Sequence, residues 1–230
     1  TASESATTAS ETAARAALES APFMFGGGGG GGDGGGGGGT RHVVIYQRNT
    51  GRRLEGADVA AANLAEALSG SGSWRISVVT HHDRLPPCLL AKCLGNAEVL
   101  VTPHGFQSML YLFLSPGALL YEVFPHRYYK HGYKRAALEW GLSHGMTQSP
   151  PSGWMASMIS SRFTTEACMS MFYCRYLARK GDVTLEPRDV AAVARAATSE
   201  RTIGDWKQAA VAHTDATTLR TRVVLHKRSA

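Results

Sequence analysis

VLVTPHGFQSMLYLFLSPGALLYEVFP, residues Val99 to Pro125, decides how this chain folds. Val99 to Val101 and Ala118 to Val123 are short apolar runs bounded by Pro and Gly, the pattern of strands buried on both faces. Between them Phe106 to Leu114 has room for a helix, so the stretch reads as a β-α-β unit. The first strand ends in His104-Gly105 and the second in Glu122 and Pro125. Open parallel sheets bind ligands beyond the carboxyl ends of their strands, so His104, Gly105 and Glu122 are expected to face one crevice of a nucleotide-binding type.

The same alternation extends in both directions. His42 to Tyr46 and Trp74 to Thr80 read as strands, Asp58 to Leu68 and Pro86 to Leu94 as helices, and Tyr129 to Gly141 and Arg188 to Ala197 as two more helices. Strands alternating with helices at this spacing predict a Rossmann-like α/β fold, a parallel sheet with helices on both faces. Residues 147 to 175, with Pro150-Pro151 and scattered Met and Ser, carry no decisive pattern.

The ends of the chain differ from its middle. Residues 1 to 40 hold mostly Ala, Ser, Thr and Glu followed by thirteen glycines between Gly26 and Gly39, too little apolar surface to offset the entropy of ordering. They read as a low-complexity tail with a poly-Gly linker, and the GxGxxG matches inside the tract carry no weight because no strand precedes them. The globular domain is expected over 41 to 198, with an undetermined extension over 199 to 230. Outside the tail, 23 basic residues stand against 14 acidic ones, a balance of +9 that favours an anionic partner: a sugar nucleotide, a nucleic acid or a membrane surface. No run of roughly 20 apolar residues is present, and the nearest, Met109 to Val123, is interrupted by Ser115-Pro116-Gly117 and would strand Glu122 in lipid. Thr1 in place of Met makes the chain read as part of a longer one. Cys88, Cys93, Cys168 and Cys174 match no zinc-site spacing, so disulfides and buried free thiols both stay open.

Three groups of residues can carry chemistry. Arg48, Arg52 and Arg53 follow the first strand in YQRNTGRRLEG, where a turn would hold planar guanidinium forks suited to phosphate, the alternative being a solvated basic loop. At His104-Gly105 the chain must turn sharply at a strand end; a residue without a side chain there lets backbone N–H groups approach a phosphate. The Glu122 carboxylate is costly to bury unpaired; it can accept both hydroxyls of a ribose, or pair with a nearby basic residue. Tyr128, Tyr129, Lys130, Tyr133, Lys134 and Arg135 interleave rings with cations, as nucleic-acid-binding segments do, but helical spacing of Tyr129 and Tyr133 favours plain packing. There is no Walker P-loop, HExxH or Asp-x-Asp pair, so the motifs offer no support for metal-dependent chemistry.

These residues resemble glycosyltransferase family 61, which includes xylosyl- and arabinosyltransferases of plant cell-wall xylan and animal O-linked N-acetylglucosaminyltransferases. The resemblance runs through YQRNTGRR, AEVLVTPHGFQSMLYLFLSPGALLYEVFP, YYKHGYKRAALEWGLSH and CRYLARKGDVTLEPRDVAAVARAA, about residues 41 to 198. It implies the C-terminal, donor-binding half of a GT-B architecture: an inverting, metal-independent enzyme that moves a pentose or N-acetylhexosamine from a UDP-sugar to a glycan or glycoprotein, with no cofactor besides the donor. By position, His104 and Gly105 would lie at the diphosphate, Glu122 at the ribose or sugar, and Arg48, Arg52 and Arg53 near the phosphates; the resemblance names no catalytic base. It also implies a type II membrane protein of the Golgi as the parent, with this domain in the lumen and no nucleic-acid partner. The chain departs from the family pattern at Phe106 and Gln107, where small residues are usual, at Met109 and Leu110, which replace Thr and Asn, and at Gly56, Leu90 and His144. A member that binds a nucleotide or a partner without turnover is the alternative reading, and a basic nucleic-acid-binding module a more distant one.

Overall fold

A computed structural model describes residues 40–49, 51–81, 86–199, 208–214 and 221–227. Apart from Thr40, the expected tail lies outside the described residues. Five strands form one parallel sheet: β1 (Arg41–Arg48), β3 (Trp74–His81), β4 (Val99–Pro103), β5 (Leu119–Phe124) and β6 (Ser143–Gln148), in the spatial order β3-β1-β4-β5-β6. Counting these five strands along the chain gives 2-1-3-4-5, a doubly wound order that reverses direction between β1 and β4. The Rossmann-like α/β fold expected from the sequence is the fold observed.

Strand alternation sorts the core into two layers. Val43, Ile45, Val99, Val101, Leu119, Tyr121 and Val123 face helices α1 (Ala57–Leu68) and α7 (Pro187–Thr198), which turn Leu64, Leu68, Val190 and Val193 inward. Val44, Tyr46, Leu100 and Leu120 face α2 (Pro87–Gly95), a 3₁₀ helix (Phe106–Phe113) and α3 (Gly132–Glu139). Met109 and Leu110 are partly buried and pack against this second layer.

One feature departs from the sequence reading, and two settle what it left open. The segment after Gly105 winds as a 3₁₀ helix, and α3 begins at Gly132, leaving Tyr129 outside it against Phe124. The 147–175 region, extended to Lys180, holds β6's end, α4 (Gly153–Arg162), α5 (Thr165–Ser170) and α6 (Phe172–Lys180), after which β7 (Val183–Thr184) pairs with β2 (Leu54–Glu55). Cys168 and Cys174 form a disulfide that ties α5 to α6, while Cys88 and Cys93 are free. In the expected extension, β8 (Gln208–Thr214) and β9 (Thr221–Lys227) pair antiparallel.

Strand β6 escaped the pattern because SHGMTQ is polar, yet five of its six residues are buried. Its polar groups meet specific partners: His144 reaches Glu122, and Thr147 donates to Asp189 at the start of α7. Gly145 lies opposite Tyr121 in register, and a Cβ there would stand 2.5 Å from the ring's Cδ2. Tyr121 is itself fully buried and has nowhere to go. Gly145→Ala is therefore expected to cost about 1–3 kcal/mol by overpacking; urea unfolding with an unchanged m-value and a lowered midpoint checks this.

Candidate functional site

The reversal between β1 and β4 opens a crevice at the carboxyl ends of the sheet, where doubly wound folds bind ligands. It measures about 490 Å³ and is lined by Arg48, Gly51, Arg52, Tyr176, Arg179 and Lys180. Arg48 is the last residue of β1, and Gly51 and Arg52 form a left-handed turn with φ of 54° and 50°. Tyr176, Arg179 and Lys180 lie at i, i+3 and i+4 on α6, hence on one helix face, with the Lys180 ammonium 4.3 Å from the Tyr176 ring centroid.

No carboxylate lines this crevice, and none of its four cations forms an ion pair among the described residues. Burial holds the Arg52 pKa below its ordinary value, and the neighbouring Arg179 and Arg48 guanidinium groups push in the same direction. Such crowding is a standing electrostatic cost, relieved when an anion enters.

His104, Gly105 and Glu122 are adjacent but stand behind the crevice. Glu122 is 1% exposed and both its oxygens are taken: Oε1 by His104 Nδ1 at 2.8 Å and by the Ser108 hydroxyl, Oε2 by His144 Nε2 at 2.9 Å. Because the carboxylate only accepts, both imidazoles present N–H to it. The expectation that Glu122 meets ribose hydroxyls is thus corrected to the buried pairing. His104, 3% exposed, stacks on Phe124 at 4.1 Å between centroids and meets Tyr128 and Tyr133 at 5.9 and 5.5 Å. Its ring does not enter the crevice, but its carbonyl accepts from Arg52 Nη1. Gly105 is needed beneath that contact, since a Cβ would lie 3.2 Å from Arg52 Nη1 and 2.9 Å from Gln107 Oε1. Glu122, His104 and Arg52 form one chain of contacts from the core to the crevice, so the first two position the third.

Arg53 is also placed differently from the expectation. Its backbone N–H donates to Asp182 at 2.7 Å and its guanidinium lies 3.5 Å from the same carboxylate, which fastens the turn after β1 to the end of α6. Of the six expected residues, Arg48 and Arg52 line the crevice. Tyr176, Arg179 and Lys180 were missed as site residues; the signal was there in YLARK, whose ring and two cations share a helix face. Phe106 is 83% exposed and outside the crevice lining, so its bulk does not fill the crevice.

Among the described residues no cluster of three or more His, Cys, Asp or Glu is arranged to hold a metal, and no helix is long and apolar enough to cross a membrane. Comparison with protein families and with curated sequences finds no match. Among solved structures, a mutant of a flavo di-iron protein from Thermotoga maritima is similar over 52% of this chain, with a TM-score of 0.34 and 12% identity. This chain spans about a third of that one (33%), and a likeness at this level assigns nothing.

Burial alone would raise the Glu122 pKa, but the hydrogen bonds from His104 and His144 and the favourable electrostatics of these two side chains outweigh it and hold the group down to about 2. A carboxyl with a depressed native pKa contributes stability above its unfolded pKa and loses it as pH falls through the native one. Glu122→Gln is expected to cost about 3 kcal/mol at neutral pH, as removal of one partner of a buried pair does. The gap to wild type should narrow between roughly pH 4.5 and pH 2; thermal melts of both proteins across that range test it, and a gap independent of pH would contradict the assignment.

Proposed function

We propose that this chain is a sugar-nucleotide-binding domain, the donor half of an inverting glycosyltransferase that passes a pentose or N-acetylhexosamine to a glycan or glycoprotein. The observation that carries the reading is the convergence of Arg48, Arg52, Arg179 and Lys180 on one crevice without a carboxylate, at the reversal point of a parallel sheet. A diphosphate is the ligand whose charge and fork geometry match such a set. Tyr176 adds a ring at the same wall, on which a base can stack. The resemblance to glycosyltransferase family 61 in the YQRNTGRR and HGFQ segments supports the glycosyl-transfer part of the reading.

In a single displacement the acceptor hydroxyl attacks the anomeric carbon and yields its proton to a base on the acceptor side, the bond to the diphosphate breaks, and negative charge grows on the departing phosphate. Fixed guanidinium groups at that position stabilise the charge without reorganising, which is the largest contribution a binding half makes to such a step. Arg52 is fixed by the His104 carbonyl, and Arg179 and Lys180 by the disulfide-tied α6. The same disulfide favours an oxidising compartment, which agrees with the proposed Golgi lumen.

Calorimetric titration of the chain with UDP in EDTA is expected to show saturable binding that weakens as salt is raised. Arg52→Ala and Arg179→Ala should each lower affinity about 10- to 100-fold, the worth of a charge-assisted hydrogen bond. Absence of heat in a chain shown by circular dichroism to be folded would overturn the donor reading.

A further inference from the structure

Phe172, Tyr176 and Lys180 follow one another four residues apart along α6, so they form one row on the helix face that reaches the crevice. The Phe172 and Tyr176 rings are within 14° of parallel with centroids 6.3 Å apart, and the Lys180 ammonium stands over the Tyr176 ring at 4.3 Å. Phe172 comes from the turn before Tyr176 and Lys180 from the turn after it, so the two neighbours take opposite faces of the ring. From α6 the crevice is lined by Tyr176, Arg179 and Lys180, at the carboxyl end of the helix. The ring face turned to the crevice is therefore the one that the ammonium covers.

The same ammonium has a stronger partner within reach once a ligand arrives. Its hold on an exposed ring is worth only about 2- to 5-fold in an equilibrium. A charge-assisted hydrogen bond to a phosphate oxygen is worth about 10- to 100-fold, so an anion in the crevice takes the ammonium from the ring. A neutral ligand makes no such bond and must displace the ammonium without compensation. The exchange asks little of the fold. The backbone of α6 stays where the Cys168–Cys174 bridge holds it, and only the exposed Lys180 side chain turns.

We infer that Lys180 is a specificity-determining residue: its ammonium covers Tyr176 in the free protein and leaves the ring for a phosphate, so the ring serves as a platform for a base only when the ligand carries an anion. This rests on the donor reading above and deepens it, since it says how the crevice tells a nucleotide from the bare nucleoside. Stacking alone does not discriminate, because every base has a π-face. The covering cation makes stacking conditional on charge. The coupling is reciprocal, so a phosphate group and a base each favour the other's binding by the same factor of about 2 to 5.

Lys180→Ala should move two ligands in opposite directions, which loss of a cation that only attracts phosphate would not do. The full chain and this variant are titrated with UDP by calorimetry and with uridine by amide NMR shifts, which register millimolar binding and show from the dispersion of the spectrum that the variant is folded. UDP is expected to bind at least about fivefold more weakly to the variant, and uridine about 2- to 5-fold more tightly, the worth of the uncovered ring. In a Tyr176→Leu background the gain for uridine should vanish. Uridine affinity that is unchanged, lowered or undetectable in Lys180→Ala, while wild type binds UDP, would overturn the inference and leave the nucleotide crevice standing. A gain that persists with Tyr176→Leu would overturn it as well, since the ring would not be what the ammonium covers. Failure of wild type to bind UDP would overturn the donor reading and this inference with it.

Discussion

One buried carboxylate organises the upper part of this molecule. Removing Glu122 from water costs several kcal/mol, and only a full set of donors makes that burial tolerable. Three elements supply them: the end of β4 through His104, the 3₁₀ helix through Ser108 and β6 through His144. Charge-assisted hydrogen bonds are each worth about 1.5–3 kcal/mol, so three of them match the penalty in size. The consequence is geometric as well as energetic. Two strands and a helix must arrive at one point in one register, and the His104 carbonyl, fixed by that arrangement, receives Arg52. The crevice thus inherits its precision from the core behind it.

The sequence made the sheet's interior readable for a simple reason. Strands β1, β4 and β5 are buried on both faces and are written in Val, Leu and Ile, so their apolar runs stand out against Pro and Gly boundaries. Strand β6 is equally central to Glu122 but is written SHGMTQ, because its buried positions hold a histidine that donates, a glycine beneath a tyrosine and a threonine that caps α7's acid. Burial by pairing leaves no hydrophobic trace. The same limit governed the site: that Glu122 is a focus was visible from a lone acid in an apolar strand, but whether its partner was a ligand or three protein donors depended on side chains from separate elements meeting in space.

Arg48 and Arg52 were legible because they follow a strand directly, and Arg53, one residue on, was misplaced by the same logic. A left-handed turn at Gly51 and Arg52 sends consecutive side chains in different directions, and a carboxylate 129 residues away captures the third arginine. The α6 cations belong to a region without periodicity, where the chain relies on the Cys168–Cys174 bridge in place of a large apolar face. A bridge closing so short a loop is worth about 2 kcal/mol in chain entropy, enough to seat one turn of helix beside the crevice.

The cations of the crevice and the carboxylate of Glu122 illustrate opposite uses of charge. Glu122 is deeply buried and completely satisfied, so it has no capacity left for a ligand and contributes order. Arg48, Arg52, Arg179 and Lys180 line one crevice with no counter-charge among the described residues, so they repel one another and an entering anion would relieve that repulsion. A fold selected for stability alone would have placed an acid among them, as it placed Asp182 beside Arg53 and Glu98 beside Arg41. Asp182 sits just beyond Lys180 in the chain and is turned toward Arg53. That placement satisfies Asp182 outside the crevice and leaves the crevice lining cationic.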